Sequence, residues 1–496
     1  MKTLRILAVL LLCVLCLAAC GEKEPPKEEI IVTEMENGRN LPGYYYQNKL
    51  TDSAADPFIL EHEGTYYLYS TGSKGYSVRT SKDLLYWQSQ SEPIYRLSST
   101  TWAKEKSWAP EMYKYNDKFY LVYSAKGHNG LHSVDIAVCD TPNGTFKPLN
   151  REKPFYGPNF SVIDASLFFD DDGRIYLYYS KDNSTNYVDG KRTSQTWGVE
   201  VKPDFSGTIG EHVLISTPVQ GWELKSGSVV WNEGPVVFKQ NGTYYLLYSA
   251  NYYVSEHYSI GYAYSDSPLK MFEKASNAKL VSGNGTTVTG PGHCNILRSP
   301  DGTEMYVVYH VHTVPPNTDH GRSLAIDRIV VMEDGSLKID GPSETRRLLP
   351  SGINGYFHVK DYTYTGAGEK AEIPSLSNIK NIFDGVAKGG LEGIYSMDEG
   401  GTVDITLSTP TALTAIWIHP STLEDYKPGS VDVLVNGQYL YKELTFTGRP
   451  DNPLVVVLSE LPEGTAVETV KVTVHLGEGK TYAALSEISM VTARQK

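Results

Sequence analysis

The chain has 496 residues, of which 40% are apolar and 21% charged, a composition typical of a globular protein with two or three domains. Its 45 Lys and Arg residues against 58 Asp and Glu residues give a formal net charge of −13. Nucleic acid is therefore not expected as a partner, because a protein that binds it needs clustered positive charge. No feature of the sequence implies a protein partner.

The N-terminal residues predict export and a membrane anchor. A basic start and an apolar stretch too short to span a bilayer comfortably are typical of a signal peptide, predicted over residues 1–19. The sequence Leu17-Ala-Ala-Cys20-Gly resembles a bacterial lipobox, so Cys20 is expected to carry lipid. A charged, Pro-containing tether is predicted over residues 20–44. We therefore expect a protein held through its N-terminal lipid in the bacterial cell envelope, at the periplasmic or the surface face of the outer membrane.

A repeated tyrosine strand runs through the next part of the chain. Its five copies begin at residues 66, 120, 176, 245 and 306, which lie 54, 56, 69 and 61 residues apart. Turns rich in Gly, Asn and Asp precede them, and these residues suit two-residue hairpins because such turns need positive φ. The period is typical of four-stranded propeller blades, and no long amphipathic helix occurs between residues 50 and 350. We predict an all-β fold with a five-bladed β-propeller over residues 45–350.

The repeat ends near Pro350, and a second domain is predicted beyond it. Residues 351–372 are interpreted as a Gly- and Tyr-rich connector, and residues 373–496 contain short alternating strands separated by turns. This pattern is typical of an antiparallel β-sandwich. The strands predicted for it are 402–407, 415–419, 430–435, 454–458 and 470–474.

One polar residue lies at a similar offset before each tyrosine strand. In a radial arrangement these five side chains would meet at the axis; they are Asp56, Glu111, Asp164, Glu233 and His293. Hydrolysis of a glycosidic bond needs one protonated carboxyl group for the leaving oxygen and one ionised carboxylate that activates water or attacks carbon. Carboxylates on different inner strands can span the separation of about 6.5–9.5 Å that an inverting enzyme needs. Burial and neighbouring charge would push their pKa values apart.

Five segments at blade spacing resemble the motifs of glycoside hydrolase family 43, in the family's order and over roughly residues 45–350. They are Asp56-Pro-Phe-Ile, Trp108-Ala-Pro-Glu, Ile163-Asp-Ala-Ser-Leu-Phe-Phe, Asn232-Glu-Gly-Pro and Gly290-Pro-Gly-His. The family consists of five-bladed propellers that hydrolyse arabinofuranosides, β-xylosides and some galactosides with inversion. The resemblance implies that Asp56 is the general base, that Asp164 raises the pKa of the acid and orients it, and that Glu233 is the general acid.

The resemblance also implies that Trp108, Glu111, His293 and Arg322 contact the substrate. A structural role for His293 and a surface salt bridge for Arg322 stay open as alternatives. The chemistry requires no cofactor, and a calcium ion near His293 is a candidate for a structural metal.

Two C-terminal segments resemble the F5/8 type C (discoidin-like) fold, which includes carbohydrate-binding module family 32. They are Asn381-Ile-Phe-Asp384-Gly and Ala484-Leu-Ser-Glu487-Ile. In such modules these segments often surround a structural calcium ion, so the resemblance makes Asp384 and Glu487 candidate ligands. Whether this domain binds sugar or braces the propeller stays open.

The predicted function is that of an inverting glycoside hydrolase releasing arabinofuranosyl or xylosyl residues from polysaccharide or oligosaccharide. Two alternatives stay open: an exo-acting galactosidase of the same family, and a catalytically silent carbohydrate-binding lipoprotein. A glycoside phosphorylase would need a basic phosphate site, and no cluster of Arg and Lys stands beside the pocket motifs.

Overall fold

The computed structural model describes residues 28–30, 43–98, 100–369, 377–387, 393–449, 451–458, 461–462 and 464–493. Within these ranges no α-helix occurs, and short 3₁₀ helices cover Ile353–Gly355, Ile379–Phe383 and Glu424–Tyr426. No helix in this part of the chain is long and apolar enough to cross a membrane. The predicted signal peptide, Cys20 and most of the predicted tether lie outside the described residues.

Five four-stranded antiparallel sheets follow one another along the chain and confirm the prediction of a five-bladed propeller. Blade I contains Phe58–His62, Thr65–Tyr69, Val78–Ser81 and Gln88–Ser89; blade II contains Ala103–Tyr115, Lys118–Gly127, His132–Cys139 and Lys147–Pro148; blade III contains Val162–Phe169, Ile175–Lys181, Gln195–Val201 and Thr208–Ser216; blade IV contains Asn232–Gln240, Thr243–Ala250, Ser259–Ser265 and Glu273–Ser282; blade V contains Gly292–Arg298, Met305–Val314, Asn317–Val331 and Leu337–Ile339. Consecutive strands are neighbours in every blade, so each blade is a meander.

The ring closes between blades V and I through residues that precede the first blade. Tyr45–Tyr46 pairs with Arg347–Leu348, and the backbone amides of Leu50 and Ala54 donate to carbonyls in the third strand of blade V. Short additional ladders join Gly75–Tyr76 to Tyr95–Arg96, and Tyr187–Val188, Lys191–Thr193 and Val229–Val230 to one another. These ladders lie outside the blades.

Tyrosines of the second strands hold the blades together. Tyr69 and Tyr178 are buried, and their hydroxyls donate to the carbonyls of Pro142 (2.7 Å) and Pro268 (2.8 Å), each in the next blade's outer loop. A tyrosine ring fills the space between blades while its hydroxyl satisfies a buried carbonyl, which phenylalanine could not do. Two of the 36 Tyr residues have this role.

The C-terminal part of the chain forms one ten-stranded sheet that curls into a sandwich-like unit around its own core. Its strands are Glu28–Ile30, Tyr356–His358, Tyr362–Glu369, Tyr395–Thr411, Leu413–Pro420, Pro428–Val435, Tyr439–Thr445, Leu454–Val457, Val467–Leu476 and Ala483–Ala493. Alternate residues face this core, as in Val431, Val433 and Val435, which are fully buried. All pairs are antiparallel except that of Glu28–Ile30 with Tyr439–Thr445.

Strands of this sheet also occur where the sequence analysis placed linkers. Tyr356–His358 and Tyr362–Glu369 lie in the segment interpreted as a connector, and Glu28–Ile30 lies in the segment interpreted as a tether. Gly366 and Gly368 give the second of these strands a loop-like composition. The partners of Glu28–Ile30 lie some four hundred residues away, so local composition carries no signal for that pairing.

The two units pack against each other beside the ring closure. Trp417 of the C-terminal sheet is fully buried and contacts the rings of Tyr44 and Tyr45, with centroids 6.1 and 5.7 Å apart. Glu304 in blade V is buried as well and pairs with His358 (2.8 Å) and Lys360 (3.2 Å). The C-terminal sheet therefore covers the point at which the propeller ring is closed.

Candidate active site

A β-bulge in the inner strand of blades II to V turns one residue toward the axis. The ladder shifts register around residues 109–110, 164–165, 234–235 and 293–294. Left-handed backbone accompanies these bulges and the start of blade I; it occurs at Asp56 (φ 50°), Ala109 (φ 42°), Asp164 (φ 55°), Gly234 (φ 56°) and His293 (φ 49°). Positive φ is unfavourable for residues other than glycine, and residues with such strained backbone cluster at functional sites. These left-handed positions coincide with Asp56, Asp164 and His293 and lie close to Glu111 and Glu233 in the chain.

Asp56 is the most strongly hydrogen-bonded of these carboxylates. Its Oδ1 accepts from Arg322 at 2.7 Å, and its Oδ2 accepts from the Thr71 hydroxyl at 2.5 Å. His293 Nδ1 and His310 Nδ1 lie 3.6 and 3.7 Å from Oδ1. Burial alone would raise the pKa of Asp56, but Arg322, the two histidines and Thr71 hold it well below its usual range. Asp56 is therefore ionised.

Asp164 and Glu233 lie in the opposite electrostatic environment. Asp164 accepts a hydrogen bond from the Gly234 amide (3.1 Å), and Glu233 accepts one from the Tyr258 hydroxyl (3.2 Å). Burial, together with the charge of Asp56, raises the pKa of Asp164 to about 6 despite the nearby His293. Burial and the charge of Asp164 raise the pKa of Glu233 well above its usual value. Glu233 is therefore protonated while Asp56 is ionised.

Glu111 and His293 complete the set that the sequence placed at the axis. Glu111 is buried and accepts a hydrogen bond from Tyr113; burial raises its pKa to about 8, and the charge of Asp164 adds to this. His293 packs on Gly234, where an added Cβ would stand 3.0 Å from its Nδ1. The ring of His293 therefore lies between Asp56 and the strand that carries Glu233.

Trp108 and Arg322 have different relations to these carboxylates. Arg322 donates a hydrogen bond to Asp56, and its guanidinium lies 4.9 Å above the ring of Tyr253. The guanidinium therefore faces the site, and Arg322 does not form a surface salt bridge. Trp108 is half-buried and stacks on His132, with centroids 4.3 Å apart. Its neighbour Ala109 donates to the Thr71 hydroxyl (2.9 Å), which places Trp108 at the rim near Asp56.

Thr71, Tyr258 and His310 belong to the site and were missed from the sequence. His310 is fully buried, its Nδ1 accepts from the Asp56 amide (3.3 Å), and its ring stacks on Tyr258 at 5.7 Å. A signal existed for His310, because four tyrosine strands end in Ser and the fifth ends in His. Thr71 and Tyr258 lie outside the repeated motifs, so the sequence contains no comparable signal for them.

The candidate calcium ligands have protein partners. Asp384 pairs with Lys338 of blade V at 3.1 Å, and Glu487 accepts from the Gly385 amide at 3.1 Å. This segment therefore docks on the propeller. No group of three or more His, Cys, Asp or Glu side chains that could hold a metal occurs among the described residues. Calcium near His293 or at this interface stays a prediction.

The fold and the site together define a class of protein. A five-bladed propeller that holds an ionised carboxylate and a protonated carboxyl group around its axis has the equipment of a propeller glycosidase.

Comparison with known proteins gives the family. The chain belongs to glycosyl hydrolases family 43, whose family model matches residues 47–337, and it is therefore a glycosidase that hydrolyses O-glycosyl bonds. It is 27% identical to a β-D-galactofuranosidase of Aspergillus niger over 63% of this chain and 88% of the relative. It is 28% identical to α-L-arabinofuranosidase 43 of Humicola insolens over 75% and 81%. The structure of a thermostable family-43 glycoside hydrolase superposes with a TM-score of 0.58 and 38% identity, covering 62% of this chain and 99% of that one.

Proposed function

We propose that the protein is an inverting glycosidase that releases pentosyl residues, α-L-arabinofuranosyl in the first place and β-xylosyl in the second, from polysaccharide or oligosaccharide. The observation that carries this proposal is that the surroundings lower the pKa of Asp56 and raise the pKa of Glu233 within one pocket. Family membership supports the reaction class. The alternatives within the family differ in the sugar.

In the proposed reaction Asp56 accepts a proton from a water molecule as that oxygen attacks the anomeric carbon. The bond between this carbon and the leaving oxygen breaks, and Glu233 gives its proton to that oxygen. Asp164, whose negative charge raises the pKa of Glu233, keeps the acid protonated until the bond breaks. Arg322 and Thr71 fix the orientation of Asp56.

A substrate panel with a variant control tests the proposal. The protein without its first 19 residues is incubated with 4-nitrophenyl α-L-arabinofuranoside, β-xyloside and β-galactofuranoside beside Asp56→Ala, because loss of the base abolishes cleavage whatever the leaving group. Release from one pentoside, lost in the variant, is expected. Proton NMR of the first product formed should show the inverted anomer. Failure to cleave either pentoside, or a first product with retained configuration, would contradict the proposal.

A galactofuranosidase is the second candidate function. A relative of this specificity matches 63% of this chain. The α-L-arabinofuranosyl and β-D-galactofuranosyl groups share the configuration of their ring carbons. They differ in the exocyclic group, which is CH₂OH in arabinofuranosyl and CH(OH)CH₂OH in galactofuranosyl. Cleavage of the galactofuranoside with no cleavage of the arabinofuranoside would favour this function.

We further propose that Cys20 anchors the enzyme in the bacterial cell envelope through lipid. The lipobox-like sequence supports this. The wild-type protein should fractionate with membranes and Cys20→Ser should be soluble after export; equal fractionation of both would contradict the anchor. For the C-terminal sheet we propose the F5/8 type C fold, and retention of residues 351–496 on insoluble polysaccharide would distinguish sugar binding from bracing.

A further inference from the structure

A buried cluster of polar side chains adjoins the start of the strand that carries Glu233. Its members are Glu223, Asn232 and Lys274. Glu223 and Asn232 are fully buried, and the side chain of Lys274 is 8% exposed. Glu223 lies in the segment between blades III and IV, Asn232 is the first residue of the inner strand of blade IV, and Lys274 lies in the fourth strand of that blade. The cluster therefore joins the segment before blade IV to two strands of the blade.

Both polar atoms of the Asn232 side chain are bonded within this cluster. Its Nδ2 donates to Glu223 Oε1 at 2.9 Å. Its Oδ1 accepts from Lys274 Nζ at 2.8 Å and from the hydroxyl of Ser216, in the fourth strand of blade III, at 2.8 Å. The backbone amide of Asn232 also donates to the carbonyl of Ser194 at 3.0 Å. Asn232 is therefore fixed to blade III as well as to its own blade.

Glu223 and Lys274 form a buried ion pair that supports this arrangement. Glu223 Oε2 accepts from the amides of Val219 and Gln220 at 2.8 and 2.7 Å. Lys274 donates to Glu223 Oε1 and to the carbonyl of Thr217, the latter at 2.7 Å. Buried charges are costly unless they are paired and hydrogen-bonded, and both members of this pair meet that condition. The pair is therefore a rigid support at the start of blade IV.

Glu233 itself has few contacts that fix its position. Tyr258 is its one hydrogen-bond donor among the described residues. The ladder shifts register directly after Glu233, where Gly234 has left-handed backbone. Consecutive residues of a strand point to opposite faces, so the side chain of Asn232 points away from the pocket. The bonds of Asn232 therefore fix the backbone from which Glu233 projects and leave the carboxyl group free for a substrate.

We propose that Glu223, Asn232 and Lys274 are positioning residues for the acid Glu233. The inference rests on the proposed function, because the transfer of a proton from Glu233 to the leaving oxygen is the step that depends on this placement. A misplacement of about 1 Å can lower a rate by about 10²-fold. Loss of the cluster should therefore slow cleavage where the leaving oxygen needs a proton and spare it where no proton is needed.

The test compares two substrates that share the glycosyl group which the wild-type protein cleaves. One is a disaccharide, whose leaving oxygen needs a proton, and the other is the glycosyl fluoride, whose leaving group does not. Asn232→Ala breaks the link and keeps Glu223 and Lys274 paired. It should lower kcat on the disaccharide by about tenfold, change kcat on the fluoride by less than about twofold, and leave KM for both within about twofold.

A second variant removes the support instead of the link. The double variant Glu223→Gln with Lys274→Met removes both charges and so leaves no unpaired buried charge. It should show the same selective loss on the disaccharide, measured as kcat per folded molecule. Glu304→Ala is the control for lost stability, because Glu304 lies in another buried charged cluster, with His358 and Arg328. Its kcat per folded molecule should be unchanged on both substrates.

Glu233→Gln, measured beside these variants, separates the two proposals. When Glu233→Gln loses activity on the disaccharide alone, an equal loss on both substrates with Asn232→Ala, or no loss on the disaccharide, would overturn the positioning role. An equal loss on both substrates with Glu233→Gln would contradict the proposed acid instead. The positioning role then stands only where Asn232→Ala reproduces that pattern on a smaller scale.

Discussion

Glu233 and Glu304 are both buried glutamates of the propeller, yet their surroundings differ. Glu304 faces His358, Lys360 and Arg328 at 2.8, 3.2 and 3.4 Å and accepts hydrogen bonds from Tyr306 and the Ser351 amide. Glu233 has one hydrogen-bond donor among the described residues, Tyr258. A carboxylate whose oxygens are all occupied stabilises the fold, whereas one held neutral with free bonding capacity is available to a substrate. Burial by itself therefore does not mark function.

The same contrast separates the propeller axis from the C-terminal sheet. The axis combines left-handed backbone with like charges at close range, both of which cost stability. The core of the C-terminal sheet consists mainly of buried Val, Ile and Leu, and Glu487 is the one buried carboxyl group of this sheet among the described residues. Left-handed backbone and like charges therefore lie where the chemistry is proposed, and the largest hydrophobic core lies away from it.

The largest effect is expected at the axis. Glu233→Gln and Asp56→Asn should each lower kcat on a sugar leaving group by about 10³-fold while leaving the thermal unfolding temperature within a few degrees. On a glycosyl fluoride, which needs no protonation of its leaving group, Glu233→Gln should keep much of its activity and Asp56→Asn should not. Equal losses of both variants on the fluoride would contradict the separate roles.

Glu304→Ala should act on stability instead of rate. Removing one partner from a buried charged cluster costs about 3–5 kcal/mol, because Arg328 is left unpaired. Burial would raise the pKa of Glu304, but His358, Arg328 and Lys360 hold it well below its usual range. Its stabilisation is therefore present above about pH 4.3, the value in the unfolded chain, and is lost as the pH falls toward the folded value. Denaturant unfolding at pH 7 measures the loss, and a kcat per folded molecule unlike that of wild type would contradict a purely structural role.

Asp164→Asn should move the alkaline limb of the pH profile. The negative charge of Asp164 raises the pKa of Glu233, so its removal lowers that pKa and the acid deprotonates at lower pH. The limb of kcat/KM should therefore shift to lower pH, with a smaller loss at the optimum than in Glu233→Gln. An unchanged limb would indicate that Asp164 acts through packing alone.

Arg322→Met should move the acidic limb. Arg322 is the strongest influence that lowers the pKa of Asp56, so its removal raises that pKa and the base becomes protonated at higher pH. The acidic limb should shift to higher pH, and Arg322→Lys, which keeps the charge, should shift it less. A profile identical to wild type in both variants would contradict the pairing of Arg322 with Asp56 in the active enzyme.

The fold was largely predictable because the repeat is local. Each tyrosine strand with its preceding turn signals one hairpin, and five such signals predict a propeller. The axis residues were predictable for the same reason, since each of them holds a constant place in the repeat. Thr71 and Tyr258 depend on how blades approach one another in space, which no local pattern records. The pairing of Glu28–Ile30 with the C-terminal sheet fails for the same reason.

The left-handed backbone at Asp56 and Asp164 affects how propellers of this type can evolve. Besides glycine, Asn and Asp tolerate that conformation best, so an exchange between them leaves the chain path unaltered. The codons of Asn and Asp also differ by a single nucleotide. A propeller of this kind can thus lose its base in one mutational step, keep its pocket, and survive as a sugar receptor. One nucleotide change therefore separates the enzyme from a sugar-binding protein without activity, and one change can restore the base.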